Sequence, residues 1–404
     1  MRSPPARRIR ASALSSALSS ALSSALSLSL ALSLALALAP SLSLLAGVSL
    51  AAASPHAGAG AGQPQRAVTA YVTDSASNTV TPIDTATGSA SAAIEVGSDP
   101  DAVAVSPGGG TVFVADAGSD TVTPIDTATN KANAPIPVGS YPDAIAISPH
   151  GGTVFVANAH SDTVTPIDAA TDRADPAIHV GSYPVAVVVT PDGHTAVVVD
   201  WLGGTVTLIK TATDRAEPAI RVGSYPVAVA VTPDSHTAFV ANYGSDTVTP
   251  IDLVTGRAGR SIRVGAAPAA LAITPNGGTV YVVDADSGAV TPIDVATERT
   301  RPRIPVGDSP AAVTISRSGA TAYVVNTISG TLTPIATDSD HPGTPILIGT
   351  YAYPLAMAIT PDGRTAEVVD NYAGKVTTIN LATRRRTAVE VGEYPSAIVI
   401  ASPG

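Results

Sequence analysis

From Ala70 onward the chain alternates short apolar runs with turn-forming residues, and the alternation has a fixed period. One unit contains four such runs: Ala102 to Val105, Val112 to Asp116, Thr121 to Asp126 and Ile136 to Val138. Turn signals such as Ser106-Pro107-Gly108 separate them. Runs this short, rich in Val, Ile and Thr, predict strands and not helices. A Val-Gly or Ile-Gly step recurs at Gly97, Gly139, Gly181, Gly223, Gly265, Gly307, Gly349 and Gly392, with six spacings of 42 and a last one of 43. Four strands in a unit of about 40 residues predict a β-propeller blade.

The first strand type begins at Pro100, Pro142, Pro184, Pro226, Pro268, Pro310, Pro354 and Pro395. The last of these has no second strand after it, while the chain enters the pattern at Ala70 with second, third and fourth strands and no first. The two ends complete each other. The expected fold is all-β: an eight-bladed β-propeller of four-stranded antiparallel blades, its ring closed by the C-terminal strand joining the N-terminal blade. Prolines 82, 124, 166, 250, 292 and 334 fall inside third strands, where they cannot donate to a ladder. Either the fourth strand is too short to cover them or the third strand bulges there.

Tyr71-Val72-Thr73-Asp74, followed by Thr79-Val80-Thr81-Pro82-Ile83-Asp84, Val96-Gly97 and Pro100, resembles the repeat of the YVTN β-propeller family. Phe155-Val156-Ala157-Asn158, Phe239-Val240-Ala241-Asn242 and Tyr323-Val324-Val325-Asn326 are similar, and the resemblance extends over residues 70–404. It implies a secreted or surface protein more often than an enzyme, although related propellers host lactonase- or lyase-like activities. The commonest propeller of that family has seven blades, and the count of eight departs from it.

Arg2, Arg7, Arg8 and Arg10 precede an uncharged Leu/Ala/Ser tract from Ala11 to Ala53 that ends in three alanines. Residues 1–53 read as a secretory signal peptide, with an uncleaved anchor as the alternative because the tract could span a bilayer. Residues 54–69 read as a flexible linker and 70–404 as a single propeller domain. The absence of cysteine excludes disulfides, thiolate metal sites and thiol nucleophiles. Residues 67–404 carry 17 basic and 32 acidic residues, a net −15, which disfavours nucleic acid as a partner.

Asp74, Asp116, Asn158, Asp200, Asn242, Asp284, Asn326 and Asp370 end the second strands. Their recurrence in every unit points to a turn requirement, each accepting hydrogen bonds in the hairpin that follows. Asp84, Asp126, Asp168, Asp252 and Asp294 after the third strands read the same way. The seven histidines show no metal-ligating spacing. Arg257, Arg260, Arg263, Arg299, Arg301 and Arg303 read as solvated edge protection. No catalytic, metal-binding or cofactor-binding set is expected.

Aromatic residues make up 4% of the chain, so their placement is informative. Tyr141, Tyr183 and Tyr225 fall in three successive connections between blades, and His160, Trp201 and Tyr243 fall in second-to-third-strand hairpins on the same face. Tyr351, Tyr353, Tyr372 and Tyr394 extend the arc. Such residues can stack on sugars or anchor a protein; alternatively each Tyr packs on its neighbouring Pro to seal a blade junction. Trp201 stands in the repeat that also replaces Pro by Leu208 and Asp by Lys210. The expected role is an exported, non-enzymatic, monomeric scaffold binding a cell-envelope polymer or protein, with no membrane insertion after signal cleavage. The alternative is a lactonase- or lyase-like propeller enzyme.

Overall fold

The computed structural model describes residues 68–349 and 352–402. The signal peptide, nearly all of the linker, and Tyr351 lie outside the described residues. The chain forms eight antiparallel sheets, each the blade of a propeller. In one blade the inner strand Pro100–Val105 pairs with Thr111–Asp116, which pairs with Thr121–Asp126. The inner strand of the N-terminal blade is Pro395–Ala401, paired with Thr69–Asp74. It also contacts the inner strands Pro100–Val105 and Pro354–Ile359 of the flanking blades, which closes the ring.

The core lies between blades. Alternate residues of a strand face opposite neighbours, so both faces are buried and the strands read as continuous apolar runs. Phe113, for example, is buried among Ala102, Ala104 and Ala115 of its own blade and Ile145, Val154 and Val156 of the next.

The third-strand prolines are accommodated by the fourth strand and not by a bulge of their own. Asn133 N–H still donates to the Pro124 carbonyl (2.8 Å), but the fourth strand is split into Lys131–Ala132 and Ile136–Pro137. Ile125 pairs with Ala132 and Val122 with Ile136, so the outer strand carries one extra residue opposite the proline. Directly across the second strand stands an aromatic ring in all six proline blades, as in Phe113 opposite Pro124 and Tyr71 opposite Pro82. Two blades lack both partners: in one, Val197 faces Leu208 and the fourth strand stays split, and in the other, Glu367 faces Thr378 and the fourth strand Arg386–Glu390 is unbroken. Glu367 is fully buried, accepts from Thr378 Oγ1 (2.7 Å), and burial pushes its carboxyl up to about 7. That missing bulge residue and a connection two residues longer after Gly349 together give the last period of 43.

Apart from Asp370, whose Oδ1 accepts Ala373 N–H in the hairpin that follows (3.2 Å), the polar residue ending each second strand is not the turn acceptor that its recurrence suggests. All eight are buried, and each ties elements together across the blade. Asp74 Oδ2 accepts from Thr79 Oγ1 (3.0 Å) and Thr81 Oγ1 (2.7 Å), while Oδ1 accepts Gly392 N–H (3.0 Å) from the preceding connection. Where the residue is Asn the threonines reverse roles: Asn242 Nδ2 donates to Thr247 Oγ1 (3.1 Å) and Thr249 Oγ1 (2.9 Å). A hydroxyl can donate or accept, so either side chain serves. The third-strand residues do form the expected turns, Asp84 Oδ1 accepting Ala86 and Thr87 N–H (both 2.9 Å).

This contact explains the recurrent glycine by close approach. A Cβ at Gly181 would lie 2.5 and 2.7 Å from Cγ and Cβ of Asp200. Gly181→Ala is expected to lower unfolding free energy by roughly 2–4 kcal/mol in a denaturant titration. Gly349, whose Cβ would meet only Ala352 Cβ at 3.2 Å, is the internal control and should tolerate the same change far better.

Candidate functional site

The connections between blades and the second-to-third-strand hairpins share one face of the ring, and backbone bonds lock them together. Tyr183 N–H donates to Asp162 Oδ1 (2.7 Å), and the Tyr183 carbonyl accepts Trp201 N–H (2.9 Å). Tyr141 is held likewise by Asp120 (2.8 Å) and Ala159 N–H (2.8 Å). The residue before seven of the eight inner-strand prolines has a left-handed backbone, Tyr353 being the exception, with φ of 55° at Tyr141, 57° at Tyr183 and 50° at Tyr225. Asp99, Ala267 and Ser309 adopt the same conformation at 53°, 55° and 51°. The backbone therefore does not require tyrosine at this position. What distinguishes the tyrosines is the ring.

The rings form a continuous ladder. Tyr141 stacks on His160 with centroids 4.4 Å apart, His160 meets Tyr183 edge-on at 5.5 Å, Tyr183 meets Trp201 at 5.4 Å, and Trp201 meets Tyr225 at 5.4 Å. These separations lie in the range where aromatic pairs attract. Tyr225 is 49% exposed, His160 is exposed, and Tyr141, Tyr183 and Trp201 are half-buried. Of the six sequence candidates, the structure brings five into this ladder. Tyr243 stands in the next hairpin, half-buried, its N–H donating to the Tyr225 carbonyl (3.0 Å), with no ring contact to the others. Gly244 leaves room for the Tyr225 ring, which occupies the place a side chain there would need.

Burial pushes the Tyr141 hydroxyl well above the usual phenol range, and the carboxylates of Asp101, Asp143 and Asp99 push it further in the same direction. Burial raises Tyr183 as well, with Asp143 and Asp101 adding to it. Asp101 and Asp143 are buried at the start of inner strands behind the ladder, positions to which sequence reasoning attached no role. The tyrosines thus remain neutral hydroxyls in an acidic setting.

The acidic setting extends over the whole face. Asp99, Asp308 and Glu393 in the connections and Asp120, Asp162, Asp246 and Asp286 in the hairpins are all exposed. No Lys or Arg occurs in any of these connections or hairpins. Exposed apolar side chains gather here too: Leu202, Ile328 and Tyr372 in the hairpins, and Tyr225, Tyr353 and Tyr394 in the connections. Among the described residues only Val254 and Leu347 are large, apolar and exposed elsewhere.

The remaining candidates fall into the scaffold. Leu208 is fully buried in the core, and Lys210 pairs with Glu217 (3.5 Å). Arg301 pairs with Asp340 (3.1 Å), which also accepts the Tyr281 hydroxyl (2.7 Å). His150, His194 and His236 are exposed in separate inner hairpins. Among the described residues no group of three or more His, Cys, Asp or Glu side chains is placed to hold a metal ion, and no helix is long and apolar enough to cross a membrane.

No protein-family model matches the chain, and no curated protein matches it in sequence. Solved structures do match in shape. The chain is similar to the dihydro-heme d1 dehydrogenase NirN, solved in complex with DHE, with a TM-score of 0.73 and 17% identity over 88% of this chain and 79% of that one. It is similar to Kuenenia stuttgartiensis hydrazine synthase (TM-score 0.58, 23% identity, 71% of this chain and 97% of that one). It is also similar to a functionally unknown protein from Desulfotomaculum acetoxidans DSM 771 (TM-score 0.58, 16% identity, 83% of this chain and 99% of that one). At these identities the likeness shows the β-propeller fold and carries no ligand or activity over to this chain.

Proposed function

We propose that this protein is an exported, non-enzymatic YVTN-type repeat propeller that acts as a monomeric binding scaffold at the cell envelope or outside the cell, using the ladder Tyr141–His160–Tyr183–Trp201–Tyr225 as its recognition surface. The carrying observation is the ladder itself. Five rings from successive loops are brought into contact, and the three tyrosines among them stand at positions whose backbone conformation is also adopted by Asp99, Ala267 and Ser309. Large rings with polar tips, ordered by one another before a partner arrives, lose little entropy on binding and suit an anchoring role. The lactonase- or lyase-like alternative has no comparable support: the repeat-breaking Leu208 and Lys210 are explained by core packing and by Glu217.

The test is co-sedimentation with isolated cell-envelope material. Saturable binding by the parent is expected, with affinity at least about tenfold weaker in a Trp201→Ala, Tyr225→Ala variant of unchanged circular dichroism. Equal binding by the two proteins, or none by the parent, would sink this reading.

A further inference from the structure

The charge of the aromatic face restricts what can dock there. Seven exposed carboxylates surround it, and none of the 17 Lys and Arg residues of the propeller segment lies in its loops. The opposite face is mixed: Arg317, Arg364, Arg384 and Arg385 stand in its hairpins with Asp192, Asp234 and Asp362. The exposed apolar side chains are likewise concentrated on the purely acidic side. An anionic polymer approaching this face meets mostly like charge, the one cation bordering a hairpin, Lys375, being paired with Glu390 (3.6 Å), whereas a cation gains both from the carboxylates and from the π-faces of Trp and Tyr.

We propose that the ligand of this face is cationic, a Lys- or Arg-rich polypeptide segment, and not an anionic or neutral envelope polymer. This rests on the ladder being a recognition surface and narrows its partner. The guanidinium or ammonium groups lie over the exposed rings, and their charge is matched by Asp120, Asp162 and Asp246 in the hairpins flanking the ladder. These three can lose their charge without losing their structural bond. Asn78 holds the equivalent position in the N-terminal blade, and its Oδ1 accepts Asp99 N–H (2.9 Å) as Asp162 Oδ1 accepts Tyr183 N–H.

The experiment is calorimetric titration of the intact protein with deca-arginine, deca-glutamate and a hexamer of N-acetylglucosamine. Quenching of Trp201, the only tryptophan, reports binding at the ladder. Deca-arginine is expected to bind saturably, more weakly as salt rises, and to quench Trp201. The Asp120→Asn, Asp162→Asn, Asp246→Asn variant should bind it at least about tenfold more weakly. A control variant removes three charges from the opposite face: Asp126→Asn, Asp168→Asn, Asp294→Asn. Asn380 fills that position naturally, its Oδ1 accepting Thr383 N–H (2.8 Å). The control should bind like the parent. Equal weakening in both triple variants would reduce the effect to the protein's total charge and overturn the proposal. Binding of the hexamer or of deca-glutamate in place of deca-arginine, lost in Trp201→Ala, Tyr225→Ala, would overturn cation selectivity but leave the recognition surface standing. Deca-arginine binding unchanged by Trp201→Ala, Tyr225→Ala would overturn the recognition surface itself.

Discussion

Removing the last ten residues, Pro395 to Gly404, is expected to abolish the cooperative fold. The strand they form is the only inner strand of the N-terminal blade, paired with Thr69–Asp74. Ala397, Ile398 and Ala401 are buried, and Val399 and Ile400 pack at the edges of the same two inter-blade clusters. Losing them strips Ala70, Val72 and Tyr71 of one neighbour each and leaves an open sheet edge at the ring's centre. Burial of Ile398 contributes about 1.5–3 kcal/mol, and with half-buried Val399 and Ile400 and the newly uncovered Ala70, Tyr71 and Val72 the loss approaches the 5–15 kcal/mol that holds a typical domain together. Thermal unfolding followed by circular dichroism, with size-exclusion chromatography, checks this. A permuted chain that carries the strand ahead of Thr69, through a five-residue hairpin like Ser106–Gly110, should recover the cooperative transition. A truncated chain that still melts sharply near the parent temperature would show that closure contributes little.

Asp200→Asn is expected to stabilise the protein at and above neutral pH and to have little effect near pH 4. Burial raises the Asp200 carboxyl from its ordinary value of 3.8 to about 7, against the lowering by Thr207, Thr205 and the Gly181 N–H. A carboxyl whose folded pKa lies above its unfolded one favours the folded state in its protonated form. Its contribution is complete below about pH 4 and is lost as pH rises through 7. At a pH well above 7 the ionised, buried Asp200 costs roughly 4 kcal/mol relative to a neutral side chain. Asn removes this cost with the local bonds retained, since Asn158 Nδ2 donates to Thr163 Oγ1 (3.1 Å) and Thr165 Oγ1 (2.9 Å) at the same place in the preceding blade. Asp116 and Asp284, both raised to about 6 by burial, should respond in the same direction at lower pH. Urea titrations at pH 4.5 and 8 measure the effect. Equal shifts at the two pH values would show that Asp200 does not titrate between them.

Several side-chain roles could not be read from the chain because their partners are remote in sequence or depend on the register of another strand. Asp74 is recognisable as recurrent, but its partners are Thr79, Thr81 and Gly392, the last 318 residues away. A turn requirement was the nearest local explanation, and the close approach of two blades is the actual one. The third-strand prolines were visible as a problem, and their solution, one extra residue in the outer strand, needed the pairing register. Glu367 carries a usable signal: it is the one charged residue at a position held elsewhere by Phe, Tyr or Val, in one of the two repeats that lack the proline.

The aromatic arc shows the same division. Its residues, their shared face and the lack of basic residues around them follow from the sequence once the strand order is known, because a fixed period assigns every loop to one side of the ring. Contact between the rings does not follow. His160 and Trp201 occupy different steps of their hairpins, yet each bridges two tyrosines of adjacent connections, while Tyr243, which shares Trp201's step, makes no ring contact. The strands, the eight blades and their closure are legible in the chain alone, since each is written in a local pattern repeated at a period of 42. Which polar groups are buried as ties between blades, which rings touch and which carboxylates are desolvated follow from tertiary packing alone, because they depend on distances between chain segments about 20 or more residues apart.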